Sequence, residues 1–111
     1  MNWTSETTND LLILFYAGSL KSVYSGNKEK NKFVPNDVVC DSHCNIILSE
    51  LQNNSLHLLS PDGEFLRYLL TENQVNGPTA MSLKKSTLWI GDFQGLVKVF
   101  QYKSSEVKSS V

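Results

Sequence analysis

The chain has 111 residues, 41% of them hydrophobic, and a formal net charge of −1 at pH 7. That balance argues against a strong sequence-independent nucleic-acid binder, which needs a basic excess to neutralise phosphates, so DNA is not an expected partner. The longest apolar run, Leu11 to Ala17, is far short of the roughly 20 residues a membrane-spanning helix requires. No basic segment precedes it as in a secretory signal. No membrane partner is expected, and the chain reads as cytoplasmic.

In chain order, residues 1–9 are a polar segment expected to fray. Asn2-Trp3-Thr4 and Asn53-Asn54-Ser55 match a glycosylation acceptor, but with no other sign of secretion they read as coincidence. Leu11–Tyr16 is a buried-strand candidate, Ala17-Gly18-Ser19 a turn, and Leu20–Tyr24 a second strand. Ser25–Lys32 reads as a solvated loop, with Lys32-Phe33-Val34 at an edge.

From Asn45 to Leu70 the pattern is three short strands and two turns. Ile46-Ile47-Leu48 is too brief for a helix. Gln52-Asn53-Asn54 breaks the run, because Asn tolerates the left-handed backbone of a tight turn. Leu56–Leu59 follows. Ser60-Pro61-Asp62-Gly63 then supplies a preset φ, a self-capping Asp and a positive-φ Gly, and Phe65–Leu70 completes the meander.

A related unit comes next. Pro78 follows Pro35 by 43 residues, Leu88 follows Ile46 by 42 and Val97 follows Leu56 by 41. Even the polar position of the third pair is kept, His57 against Lys98. A four-strand repeat of about 40–45 residues points to β-propeller blades. Leu58-Leu59 and Val99-Phe100 place apolar side chains on both faces of a strand, as expected of a sheet covered on both sides. The predicted fold is therefore all-β: an incomplete β-propeller of about two and a half four-stranded blades over residues 10–103. The polar residues 104–111 are expected to be a disordered tail, leaving the last blade without its fourth strand. Leu88, Ile90, Val97, Val99 and Phe100 of that blade would then be partly wet, and its open edges would favour self-association.

The segment from Asp37 to Leu70, followed by Asn76 to Tyr102, resembles NHL repeats, especially the C-terminal propeller of tripartite-motif proteins. The resemblance lies in the Pro-x-[Asp/Ala]-[Val/Met] opening at Pro35 and Pro78, the apolar strands ending in Glu50 and Asp92, and the turn Ser60-Pro61-Asp62-Gly63-Glu64-Phe65. It implies a recognition surface for protein or RNA, serving in many members as the substrate-binding part of a ubiquitin ligase. The RING, B-box and coiled-coil modules of such ligases have no counterpart in these residues, so no enzymatic activity or cofactor is expected of them.

The candidate chemistry is sparse. Cys40, His43 and Cys44 form a C-x-x-H-C cluster, but a structural zinc site takes four ligands, usually as two separated pairs. They are read as one buried and one turn cysteine, with no metal. Ser60 and Ser86 lie in turns without a nucleophile-elbow context. Glu50 and Asp92 occupy equivalent strand ends. They could approach an axis and hold a calcium ion, which would make the chain part of a propeller hydrolase; alternatively each ends its strand by accepting turn hydrogen bonds. No catalytic residue is assigned. In a meander, the second-to-third turn and the fourth-to-first connection share an end. Here that end collects Gln52, Asn53, Asn54, Asn73, Gln74, Asn76, Phe93 and Gln94, an amide-rich rim expected to bind a protein partner, with RNA as the alternative. The opposite end collects Ser42, His43, Pro61, Asp62, Lys84 and Lys85.

Overall fold

A computed structural model of the chain describes residues 3–8 and 10–109. The acceptor candidate Asn2 and the last two residues of the predicted tail lie outside that range. The described residues form eleven strands in three antiparallel sheets. Sheet I is β1 (Trp3–Thr7), β2 (Leu12–Tyr16) and β3 (Ser19–Tyr24). Sheet II is β4 (Pro35–Cys40), β5 (Ile46–Glu50), β6 (Ser55–Leu59) and β7 (Phe65–Leu70). Sheet III is β8 (Pro78–Lys84), β9 (Thr87–Asp92), β10 (Val97–Lys103) and β11 (Glu106–Ser109). Each sheet is a meander of strands consecutive in sequence.

The repeat is visible in the ladders. In sheet II, Pro35 pairs with Glu50, a bulge follows, and pairing resumes at Val38–Leu48. In sheet III, Pro78 pairs with Asp92, a bulge follows, and pairing resumes at Met81–Ile90. Proline opens each ladder because it has no N–H to give, and the bulge absorbs the mismatch. The bulge in sheet II also ties the sheets together. The Asp37 carboxylate accepts hydrogen bonds from the N–H of Val38 at 2.9 Å and of Met81, in the next sheet, at 2.7 Å. Beside it, Ser49 Oγ donates to the Thr79 carbonyl at 2.8 Å.

The three sheets stack, with sheet II in the middle. Ile47, Leu56 and Leu58 of sheet II meet Leu88, Ile90 and Phe100 of sheet III in one buried cluster. Ile46, Leu48 and Leu59 turn the other way and meet Leu12, Leu14 and Tyr24 of sheet I. Every residue of β5 and β6 is buried, which bears out the reading of Leu58-Leu59 as covered on both faces; of Val99-Phe100, only Phe100 is buried.

The structure differs from expectation at both ends of the chain. β11 pairs with β10 from Phe100–Ser109 to Lys103–Glu106, so the third meander has a fourth strand where a disordered tail was predicted. β1 likewise pairs with β2 along its length, where fraying was predicted. Both strands are polar; they are strands because a neighbour's backbone satisfies theirs, a tertiary effect that hydrophobic periodicity does not register. Leu88, Ile90 and Phe100 are also not wet but buried against sheet II, while Val97 remains 62% exposed on the opposite face.

Sheet I corresponds to the last three strands of a meander. The β6–β7 turn packs on β3: Lys21 pairs with Asp62 at 3.1 Å, and a Cβ on Gly63 would lie 2.1 Å from Ser22 Oγ. The loop after β3 reaches the β5–β6 turn, where the Asn31 N–H donates to Asn53 Oδ1 at 2.8 Å. β3 thus leads into sheet II as β7 leads into sheet III.

Candidate functional site

Three turns share one architecture. Asp41, Ser60 and Asp92 each begin a turn whose side-chain oxygen accepts the N–H groups two and four residues on, at 2.8–3.2 Å. The fourth position of each turn has positive φ: Cys44 at 68°, Gly63 at 87° and Gly95 at 86°. Cys44 is therefore a turn residue in a backbone conformation that favours glycine, while Cys40 lies half-buried in β4. Glu50, fully buried, accepts from the N–H groups of Val34 at 3.3 Å and Gln52 at 2.9 Å. The acids are thus engaged by turns, and among the described residues no three His, Cys, Asp or Glu side chains gather where a metal could sit.

Asp41 is the most constrained of these acids. Burial pushes its carboxyl up, but hydrogen bonds from the Tyr102 hydroxyl, at 2.7 Å, the Asn45 side chain, and the N–H groups of Asn45 and His43 together hold it below the usual carboxylate range. Its neighbours Ser42 and His43 line a polar pocket with Lys85 at one end of the stack. Pro61 and Asp62 line a separate, more apolar pocket against sheet I, so the residues expected at this end do not form a single surface.

The amide end is also divided. The Gly77 N–H donates to Asn54 Oδ1 at 2.7 Å, and its carbonyl accepts from the Phe93 N–H at 3.0 Å, so the three segments do share one end. Several amides, however, are consumed in building it. Gln74 Oε1 accepts from the Thr71 N–H, and Asn54 holds Gly77. Asn53 clamps the loop from sheet I: Nδ2 donates to the carbonyls of Asn31 at 3.2 Å and Lys32 at 3.3 Å, while Oδ1 accepts from Asn31. Asn53→Ala is expected to loosen residues 27–33 and lower stability by about 1–2 kcal/mol, seen as faster amide exchange at Asn31. Unchanged exchange there would contradict the clamp.

Between this loop and sheet II lies a polar cavity of about 290 Å³. Gln52, Asn53, Asn54 and Asn73 line it, whereas Gln74, Asn76, Phe93 and Gln94 do not. Among the described residues, the side chains of Gln52 and Asn73 make no hydrogen bond and stand exposed at its mouth. Lys28 and Lys30 are matched there by Glu29 and Glu72.

The cavity wall includes Ser55 and Tyr68, and behind them lies a buried network that sequence reasoning missed. His57 is fully buried, its Nδ1 2.8 Å from the Tyr24 hydroxyl and its Nε2 3.1 Å from the Ser55 hydroxyl. Tyr24, Phe33, Phe65 and Tyr68 surround the ring with centroids 5.0–6.0 Å away. The Tyr68 hydroxyl, with one proton to donate, lies 2.7 Å from the Asn27 carbonyl and also within hydrogen-bond reach of the Glu29 carboxylate. Burial lowers the His57 pKa to about 4, with the Glu29 carboxylate pulling partly the other way. Burial raises Tyr24, and burial together with the Glu29 hydrogen bond pushes Tyr68 up to about 12.

A serine beside a histidine invites comparison with a nucleophile and its base. An effective general base titrates near the working pH, whereas His57 is a far weaker base and both its ring nitrogens are occupied. Ser55, moreover, is only 4% exposed. The arrangement holds the cavity wall in place. Neither the protein-family models nor the curated proteins contain a match to this chain. Among the described residues no helix is long and apolar enough to cross a membrane.

Proposed function

We propose that the chain is a run of NHL-type propeller blades acting as a non-enzymatic protein-interaction module, with the amide-lined cavity receiving an extended segment of a protein partner. In a ligase of the tripartite-motif kind, such a module recognises the substrate. The blade reading is supported by the stacked meanders, by the bulge repeated after Pro35 and Pro78, and by first strands that lie side by side. The observation that carries the functional reading is the pair of uncommitted amides, Gln52 and Asn73, at the mouth of a cavity whose walls are fixed by Asn53 and the His57 network. A side-chain amide offers donor and acceptor together and so suits a peptide backbone. The balanced charge of the lining favours a peptide over RNA, which rewards a basic groove.

Peptide-library selection against the folded chain tests this. A selected peptide is expected to bind the Gln52→Ala/Asn73→Ala variant at least tenfold more weakly. That is about 1.4 kcal/mol, in line with one or two lost hydrogen bonds of roughly 0.5–1.5 kcal/mol each. Selected peptides indifferent to both substitutions would refute the site. Salt-dependent binding of single-stranded RNA with no peptide selected would refute the choice of partner.

A further inference from the structure

Three turns of sheets II and III meet at the end of the stack opposite the amide-lined cavity. The turn after β4 brings Ser42 and His43, the turn after β8 brings Lys85 and Ser86, and the turn after β10 brings Lys103 and Ser104. All six residues line one polar cavity of about 230 Å³. Each turn thus delivers one hydroxyl beside one basic side chain. The turns are also locked to one another. Asp41 and Tyr102, both buried, form the inner wall, where the Tyr102 hydroxyl donates to Asp41 at 2.7 Å and joins β10 to the turn after β4. The Tyr102 N–H donates to the Ser86 carbonyl at 2.7 Å and joins β10 to the turn after β8. Arg67 of β7 donates from Nε to the Ser104 carbonyl at 2.9 Å, which fixes the third turn against sheet II.

The groups that build the cavity are spent, but those that line its mouth are not. Asp41 is the one carboxylate among the described lining residues, and its oxygens already accept from the Tyr102 hydroxyl, the Asn45 side chain and two backbone N–H groups. Among the described residues, Lys85 and Lys103 form no ion pair, and the Ser86 and Ser104 hydroxyls make no hydrogen bond.

We infer that this cavity binds a phosphomonoester. Such a group carries about −1.5 to −2 charges at pH 7 and three strong acceptor oxygens. Lysine meets phosphate as a point charge with three donors, and serine adds a hydroxyl donor. The two lysine charges outweigh the single buried carboxylate. Three turns, each with a hydroxyl and a base, match three terminal oxygens. A phosphodiester, as in RNA, has only two free oxygens and one charge, and so leaves one turn without a partner. The site is separate from the amide-lined cavity and does not depend on the peptide-binding role given to it.

NMR titration of the whole chain with N-acetyl-phosphoserine amide tests this. Saturable shifts are expected at the amides of Ser42, His43, Ser86 and Ser104, with dimethyl phosphate binding at least tenfold more weakly. The Lys85→Asn/Lys103→Gln variant is expected to lose at least tenfold in affinity; Asn is chosen because it tolerates the positive φ of 56° at position 85. Unchanged amide exchange over Ile46–Glu50 checks that its fold is kept. Ser86→Ala/Ser104→Ala, which keeps both charges, is expected to weaken binding at least threefold. Absence of saturable binding at millimolar ligand would overturn the inference. So would equal affinity for monoester and diester, undiminished binding by the lysine variant, or shifts spread evenly over Lys21, Lys28 and Lys98. Titration with inorganic phosphate separates the sources. Tighter binding of the phosphoserine amide assigns the ester to a partner protein, whereas equal binding shows that the phosphoryl group alone is read, as in a small free ester.

Discussion

Between pH 7 and pH 4 the folded state is expected to lose on the order of 3 kcal/mol of stability through His57 alone. The sign follows from burial. The neutral ring is favoured in the fold, where its pKa is about 4, whereas in the unfolded chain it titrates near its ordinary value of 6.5. Above 6.5 neither state binds the proton and the full stability is present. From 6.5 down to about 4 the unfolded chain takes up the proton first, and stability falls. Asp41 extends the decline: its carboxyl is held below the usual range, so its contribution is present above the ordinary carboxylate pKa and is lost as pH falls through the folded value. Urea unfolding at a series of pH values measures this. His57→Gln, which can still accept from one neighbour and donate to the other, is expected to flatten the profile between 6.5 and 4. A wild-type profile already flat there would show that the ring is not held neutral by the fold.

Leu58→Ala and Leu59→Ala are each expected to cost about 2–5 kcal/mol, against about 5–15 kcal/mol for a typical domain. The two residues are adjacent in sequence but belong to different cores. Leu58, 2% exposed, lies in the cluster with sheet III, and Leu59, fully buried, in the cluster with sheet I. Neither cavity can collapse easily, because sheet II is held on both sides. The double variant is expected to be largely unfolded at 25 °C, while Leu66→Ala, at a side chain 51% exposed, should fall within about 0.5 kcal/mol of wild type. Denaturant titration of the three single variants separates a two-sided core from a one-sided one: loss at only one of the two buried leucines would place one face of sheet II in water.

Much of the middle of the molecule was legible in the sequence. The spacing from Pro35 to Pro78 and the paired leucines of β6 marked a repeated, doubly covered meander, and the ladders keep that register. β1 and β11 were not legible, because polar strands form only when a neighbour's backbone is already in place. At the amide end, topology located the turns, but composition could not tell an amide that builds a turn, such as Asn53, from one left over, such as Gln52. His57 and Lys98 align in the repeat yet differ in role. His57 is enclosed by aromatic rings, while Lys98, exposed, donates to the Gln74 carbonyl. A polar residue inside a run apolar on both sides must be buried, and a buried ring needs partners; that was the available signal for the network around His57.

The doubled apolar character of sheet II bears on how the strands find their alignment. In an ordinary sheet, sliding one strand by a single residue turns its greasy side to water, and the error corrects itself. In β6 the same slide would merely exchange Leu56 and Leu58 for Leu59, one hydrocarbon surface for another. Oil alone reads both alignments almost equally well. What discriminates is the minority of polar groups. A slipped β6 would carry His57 away from Tyr24 and into the side occupied by Leu88, Ile90 and Phe100, with nothing to bond its nitrogens, a penalty of roughly 1–3 kcal/mol for each buried group left unpaired. A slipped β5 would likewise withdraw Ser49 from Thr79 and Glu50 from the turn it closes. The few hydrophilic side chains buried in this sheet thus act as alignment marks, setting which of two nearly equivalent pairings the chain keeps.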